Sequence, residues 1–388
     1  MIHTENRTIE RAFLVYARRK RSRNPAIAPD QSEVMKELED LIASAGAKVV
    51  GSHVQIVEAE NPATLVGKGT IEHLKGIIEE KGANLVVFQN LLKPKQQALL
   101  EDALKVKTLD RREIILDIFA QRARTREGKL QVEFAQLSFR LGRLTGGRKE
   151  LSRLGGGIGT RGPGEKKLEE DRRKIRQQIR QIERELMTVR KTRSLHYHRR
   201  RETGYPVVAL VGYTNAGKST LFNRLTGSQV YVADKLFATL DPTARKFRLP
   251  SGREAIIVDT VGFIHDLPAE LRQAFLATLE GIGEADLLLH VADGSSDAAD
   301  SNIDSVEAIL SELEFSDKPL LLVLNKRDLC PPKMASDPFG DWQRGQATPG
   351  PFMVSAKTGE GLSVLLHEAE KELRLNWPGR TDSTRHAL

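Results

Sequence analysis

The sequence predicts an α/β chain in three parts: a small N-terminal α/β domain (1–108), an antiparallel helical, coiled-coil-like hairpin arm (109–200) and a second α/β domain with a mostly parallel sheet (204–376), followed by a short polar tail (377–388). Three observations carry this reading. Apolar strand-like runs alternate with helix-period segments toward both ends of the chain, the pattern of parallel βαβ units. Between them, two long segments repeat apolar residues every third or fourth position. A glycine-rich loop (155–164) that cannot be helical separates those two segments.

In the N-terminal part, Ala12–Ala17, Lys48–Ile56 and Asn84–Phe88 read as strands, and Ser32–Ser44, Thr70–Lys81 and Lys95–Leu104 as helices. Gly67-Lys68-Gly69-Thr70 has the look of a phosphate loop but lacks the upstream Gly, so it reads as a helix-entry turn.

The arm follows from spacing. Leu130, Phe134, Leu137, Leu141 and Leu144 are 4, 3, 4 and 3 apart, and so are Ile175, Ile179, Ile182, Leu186 and Val189. Both are seams of paired helices. Folding the second back along the first makes an antiparallel hairpin with the glycine loop at its tip. A helix over Glu165–Arg193 would extend about 40–45 Å. The stretch Thr192–Pro206, rich in Arg and His, reads as a hinge into the last domain. Gly157-x-Gly159-x-x-Gly162 matches a dinucleotide fingerprint only formally, because no strand precedes it.

Charge sets the arm apart. The chain's net charge is +8, yet Lys105–Arg201 holds 28 Lys/Arg against 12 Asp/Glu, a net of +16, so the remainder carries −8. A block of that size points to a polyanion, nucleic acid first. The candidate RNA-contacting residues are Arg140, Arg143, Arg148, Lys149, Arg153 and Arg161, with Gly156, Gly157 and Gly162 allowing close approach of backbone to phosphate. The tip has no aromatic residue, so base stacking is not indicated.

The last domain carries the chemistry. Val207–Val211 is an apolar strand, and Gly212-Tyr213-Thr214-Asn215-Ala216-Gly217-Lys218-Ser219-Thr220 satisfies G-x-x-x-x-G-K-[ST]. Such a loop aims backbone N–H groups and a helix N-terminus at an anion. Lys218 reaches the β- and γ-phosphates and Ser219 holds Mg²⁺. A second strand, Ala255–Val258, leads into Asp259-Thr260-Val261-Gly262. There Asp259 orients a Mg²⁺-bound water, and Gly262, without a Cβ, lets its N–H approach the γ-phosphate. A third strand, Leu320–Leu324, ends in Asn325-Lys326-Arg327-Asp328, the N-K-x-D pattern that reads guanine. The Asp328 carboxylate accepts from guanine N1–H and the exocyclic amine, which adenine does not offer, so discrimination of roughly 10⁴-fold follows. Ser355-Ala356-Lys357 follows Phe352–Val354 and supplies backbone to guanine O6. Four strand-end motifs in this order define a Ras-like P-loop GTPase domain that takes GTP with Mg²⁺. Between the first two lies Phe237-Ala238-Thr239-Leu240-Asp241, where a switch loop completes the Mg²⁺ shell; Thr239 and Thr243 are the two candidates on spacing alone. Phe263 stands where many GTPases carry a Gln that orients the attacking water, so resting hydrolysis should be slow. Asn215 is a candidate K⁺ ligand that adds positive charge near the developing β–γ charge.

Composition narrows the setting. One cysteine, Cys330, excludes a disulfide framework and a cysteine-built metal site, as a reducing cytoplasm favours. The nine histidines show no metal spacing, and no apolar run approaches the roughly 20 residues of a membrane span. The N-terminus lacks a signal-peptide pattern, and a cytoplasmic monomer is expected.

The residues also resemble the HflX family of ribosome-associated GTPases, within the Obg-HflX-like superfamily. The resemblance lies in Leu116-Asp117-Ile118-Phe119-Ala120, Arg122-Ala123-Arg124-Thr125, Glu127–Glu133, Gly155–Glu165, Leu168-Glu169, Asp171-Arg172-Arg173, Phe237–Thr243 and Asp259–Phe263. It implies Thr239 rather than Thr243 as the Mg²⁺ ligand. It further implies a factor that binds the large (50S) ribosomal subunit and its rRNA in the GTP state. The N-terminal domain and arm would reach toward the peptidyl-transferase centre, splitting stalled 70S ribosomes into subunits. Hydrolysis stimulated by the large subunit would then release the factor. Some relatives carry a longer folded extension after the last helix; Asn376–Leu388 is too short for one, so no activity of that extension is expected. A different class, an RNA-binding assembly or quiescence factor, would decorate large subunits without splitting ribosomes.

Overall fold

A computed structural model describes residues 9–20, 31–146, 163–202, 204–228, 236–237, 243–264, 281–330 and 350–376. The N-terminal elements are β1 (Arg11–Arg19), α1 (Gln31–Ala45), β2 (Lys48–Val57), α2 (Lys68–Lys81), β3 (Leu85–Phe88), α3 (Pro94–Leu104), β4 (Lys107–Asp110) and α4 (Arg111–Arg122). Two long helices follow, α5 (Arg126–Gly146) and α6 (Pro163–Glu202). The last part comprises β5 (Val207–Val211), α7 (Lys218–Thr226), β6 (Thr243–Arg248), β7 (Glu254–Asp259), β8 (Leu287–Asp293), α8 (Ala299–Glu312), β9 (Leu320–Asn325), β10 (Phe352–Met353) and α9 (Leu362–Asn376). The α/β class, the parallel sheets and the helical arm agree with the sequence reading. Two compact units form: Met1–Gln121 with Val132–Arg184, and Arg122–Gln131 with Glu185–Leu388.

The first unit holds a four-stranded sheet, order β2-β1-β3-β4, parallel at every pairing. Its central strand β3 is Leu-Val-Val-Phe and buried throughout, as a parallel strand covered on both faces must be. The core gathers Phe13, Val15, Leu74, Ile78, Val86, Phe88, Leu100 and Leu104. Helix α2 stops at Gly82, whose φ of 59° is left-handed and whose N–H turns back to Glu79 O. Asn90 straps β1 to the chain after β3, its carboxamide bonding Ala17 N at 2.8 Å and Ala17 O at 2.9 Å.

A polar knot at the start of α4 fastens α5 to this sheet. Asp110 is fully buried and accepts from Leu92 N–H and from Arg112 at 2.7 Å. Arg143 of α5 donates to Glu113 at 2.8 Å and to Gln97 Oε1, and its guanidinium lies 5.1 Å from the Phe139 ring centroid. Burial pushes the Glu113 carboxyl above its usual range, and the Arg143 charge opposes that shift.

Both arm helices bury the expected seam. Leu130, Phe134 and Leu137 on α5 and Ile182 on α6 are buried; Ile175, Ile179, Leu186 and Val189 are half-buried between exposed neighbours. Arg126, the first residue of α5, pairs at 3.1 Å with Glu185 in the second half of α6, the register of an antiparallel hairpin. One expectation is corrected. The supposed hinge at 192–206 is helical as far as Glu202, so α6 runs 40 residues, about 60 Å. Its Arg and His residues do not end a helix; the first breakers are Gly204, with φ of 71°, and Pro206. The tip loop 155–164 lies outside the described residues.

The second unit holds a six-stranded sheet, order β10-β9-β8-β5-β7-β6, parallel except where β6 runs against β7. Strand β5 is wholly buried, and Val208, Leu210, Leu221, Phe222, Leu289, Val323, Leu365 and Leu373 pack between the sheet and its helices. On one flank β10 is only two residues long. On the other, β6 exposes Arg245, Lys246 and Arg248, with Lys246 paired to Glu254 at 2.8 Å and 4.0 Å from the Tyr205 ring centroid.

Candidate nucleotide site

The carboxyl ends of β5, β7 and β9 bring three of the sequence motifs together, and Ser355-Ala356-Lys357 follows β10 at the sheet's end. Ligands of open parallel sheets bind outside strand carboxyl ends. Two glycines make the loop after β5 possible. Gly212 has φ of 149°, and a Cβ there would run into the Val291 carbonyl; Gly217, at 89°, caps α7, and a Cβ there would overlap Asn325 Nδ2.

Lys218 is 6% exposed and donates to Gly212 O at 3.0 Å and Tyr213 O at 2.7 Å. Burial lowers its pKa from 10.5 to about 8, with nearby Asp259 opposing the shift. His290 on β8 is buried and neutral; burial first, and then the Lys218 charge, bring its pKa to about 3. The Ser219 hydroxyl donates to Asp259 Oδ2 at 2.7 Å, and Asp259 is fully buried at the end of β7. A hydroxyl and a carboxylate held in contact are the hard oxygen donors that Mg²⁺ takes, so the residues present fit that ion. Thr260 anchors the turn by donating to Leu210 O at 2.5 Å, and Val261 is buried. A Cβ on Gly262 would lie 2.8 Å from Thr214 Cα and Cγ2 and 3.0 Å from Lys218 Nζ, so only glycine leaves this space open. Phe263 pairs with the loop: Thr214 N–H donates to Phe263 O at 2.8 Å and Phe263 N–H to Gly212 O at 3.0 Å.

The base-reading half is held by one carboxamide. Asn325, 2% exposed, donates through Nδ2 to Ala216 O and accepts at Oδ1 from Ala356 N–H, both at 2.9 Å. Ser355 Oγ donates to Asp328 Oδ1 at 2.6 Å and so orients the carboxylate. Lys326, with φ of 64°, forms an ion pair with Asp293 at 2.7 Å, and Arg327 reaches Glu360 at 3.3 Å. Lys357 and Asn215 are exposed, the latter with φ of 61°, while Thr220 is half-buried at the start of α7.

Phe237 is buried with φ of 56°. Ala238, Thr239, Leu240 and Asp241 lie outside the described residues, whereas Thr243 opens β6 opposite Asp259. Of the arm's candidates, Arg140 is exposed and Arg143 is held in the knot with Glu113; Arg148, Lys149, Arg153, Gly156, Gly157, Arg161 and Gly162 also lie outside the described residues. Sequence reasoning missed Asp293 and the bracing role of Asn325. Asp293 had a signal, an acid at the end of an apolar run; the Asn325 bonds had none. Among the described residues no helix can cross a membrane, and no cluster of three or more His, Cys, Asp or Glu forms a metal site.

A phosphate loop, a strand-end Asp-x-x-Gly and an Asn-Lys-x-Asp on one parallel sheet define a P-loop GTPase, which hydrolyses GTP to GDP and phosphate. Residues 207–326 match the family described as "50S ribosome-binding GTPase", 32–120 the "GTP-binding GTPase N-terminal" region and 122–200 the "GTP-binding GTPase Middle Region". A "GTPase HflX" of Caldanaerobacter subterraneus subsp. tengcongensis is 51% identical over 89% of this chain and 78% of its own length. Those of Lacrimispora saccharolytica (48%; 89% and 80%) and Escherichia coli (43%; 88% and 79%) match over similar lengths. The chain belongs to the HflX family of GTPases. The fold is shared with the "crystal structure of SsGBP and GDP complex", 23% identical, covering 95% of this chain and 100% of that one with a TM-score of 0.50.

Proposed function

We propose that this GTPase, in its GTP state, binds the large (50S) ribosomal subunit and its rRNA through the arm, and dissociates stalled or idle 70S ribosomes into subunits. Hydrolysis, slow alone and stimulated by the large subunit, resets it. The observation that carries the reading is the +16 concentrated in Lys105–Arg201, joined to a GTPase. The relatives' family, with its match to a ribosome-binding GTPase description, supports it. The working parts are the N-terminal domain 1–108, the arm 109–200 and the GTPase domain 204–376, in a cytoplasmic monomer.

In the site, Gly212–Thr220 cradle the phosphates, with Lys218 on the β- and γ-phosphates. Ser219 and Thr239 would hold Mg²⁺, with Asp259 acting on it through water. Phe237–Asp241 and Asp259–Gly262 are the γ-phosphate-sensing segments. Asn325–Asp328 and Ser355–Lys357 read guanine. Bound Mg²⁺ supplies charge that stabilises the β–γ bond-breaking transition state. Asn215 would hold K⁺, which would add positive charge near the developing β–γ charge. Arg140, Arg148, Lys149, Arg153 and Arg161, with Gly156, Gly157 and Gly162, meet RNA; Arg143 serves as the root of the arm.

Sucrose-gradient sedimentation of 70S ribosomes with the protein and a non-hydrolysable GTP analogue tests this. Free subunits are expected, lost on Ser219→Ala and on replacing 155–164 by a neutral linker. Ribosomes that carry the protein yet stay intact would instead favour an assembly or quiescence factor.

A further inference from the structure

Phe263 stands directly after Asp259-Thr260-Val261-Gly262 and is 3% exposed, and its ring offers nothing to hydrogen-bond a water. Its main chain is committed as well, to Thr214 N–H and Gly212 O. The neighbour across that two-bond bridge is Thr214, itself 6% exposed, whose Oγ1 is buried and has no hydrogen-bond partner. Leaving a buried hydroxyl unpaired costs about 1–3 kcal/mol. Buried polar groups without a partner are rare, and a catalytic role is one of the reasons a folded protein keeps one. The methyl that shares its Cβ borders a defined space. The point above Gly262 where a Cβ would stand is 2.8 Å from Thr214 Cα and Cγ2 and 3.0 Å from Lys218 Nζ. Thr214 thus stands beside the ammonium that takes the γ-phosphate and the glycine whose N–H approaches it.

We propose that the Thr214 hydroxyl is the protein's own water-ordering group: Oγ1 accepts a hydrogen bond from the attacking water and holds it in line with the γ-phosphorus. The proposal rests on the GTPase reading. The water oxygen bonds to the γ-phosphorus as the bond to the β–γ bridging oxygen breaks, its electron pair leaving on GDP. The proton lost by the water passes to a γ-phosphate oxygen, and the products are GDP and inorganic phosphate. Thr214 keeps its own proton throughout. A single hydroxyl on a short side chain orders water less firmly than the longer Gln amide, in keeping with slow resting hydrolysis.

The test uses the full chain with Thr214→Val, which keeps the shape and removes the hydroxyl, and Thr214→Ser, which keeps the hydroxyl and removes the methyl. Single-turnover hydrolysis of γ-labelled GTP is measured with Mg²⁺ in KCl, beside affinities for GDP and a non-hydrolysable GTP analogue. Thr214→Val is expected to slow hydrolysis about 10²-fold while both affinities hold within about twofold, and Thr214→Ser to stay within about threefold of wild type. Hydrolysis by Thr214→Val at the wild-type rate overturns the proposal while leaving the GTPase reading intact. So does an equal fall in rate and affinity in both variants, the mark of a packing role. A wild type without GTPase activity would sink both.

Discussion

The two ends of α7 offer a matched pair of substitutions. Gly217 and Gly227 both have positive φ, 89° and 66°, so alanine costs about 1–2 kcal/mol of backbone strain at either. Only at Gly217 does the new methyl also meet an atom, Asn325 Nδ2, whereas nothing lies within 4 Å of the same position on Gly227. Asn325 cannot swing aside freely, because it is 2% exposed and bonded at both ends of its carboxamide. Moving it gives up two hydrogen bonds of about 1 kcal/mol each, and the crowding itself adds about 1–3. Gly227→Ala should therefore lower the stability of the second unit by about 1–2 kcal/mol, and Gly217→Ala by about 4–7. Urea unfolding followed by pulsed amide hydrogen exchange in β5 and α7 reports this unit. With equal m-values the midpoints convert directly to free energies. Equal midpoints for the two variants would refute the argument that Asn325 is a fixed brace.

Other outcomes follow from the same geometry. Arg143→Met strands the Glu113 carboxylate and should destabilise the first unit by about 1–3 kcal/mol at roughly pH 8 and by much less at roughly pH 5. The sign follows from the raised Glu113 pKa: protonated, the group needs no cation, and that relief fades as pH rises through the raised value. Amide hydrogen exchange in α4 reads the loss. Asn215→Ala should remove any advantage of KCl over NaCl in GTP turnover, and turnover that is equal in the two salts for wild type would dispose of the K⁺ site. Binding to large subunits should weaken steeply with salt, and neutralising Arg148, Lys149 and Arg153 together should lower the slope of log K against log salt by about 2.

Much of this was legible in the sequence, for a physical reason. Strand β5 and the loop after it are set by local constraints, an apolar run and glycines at fixed spacing, and such constraints are written in neighbouring letters. The seams of α5 and α6 were legible because 4-and-3 spacing is itself the geometry of a helix face. The end of α6 was misread because a run of Arg and His was taken for a linker, although only Gly204 and Pro206 break the helix. The Asn325 brace was illegible: its partners lie 109 and 31 residues away, and no periodicity encodes them. Arg143 was grouped with the arm's cations for the same reason, since a charge count cannot see Glu113 closing on it 30 residues upstream.

The flanks of the six-stranded sheet bear on how such a molecule behaves when crowded. A two-residue strand on one side offers almost no template to another chain, and a row of arginine and lysine on the other repels a like copy. Self-adhesion by sheet growth is thereby discouraged at both borders, so copies can reach high local concentration without sticking to one another through their sheets.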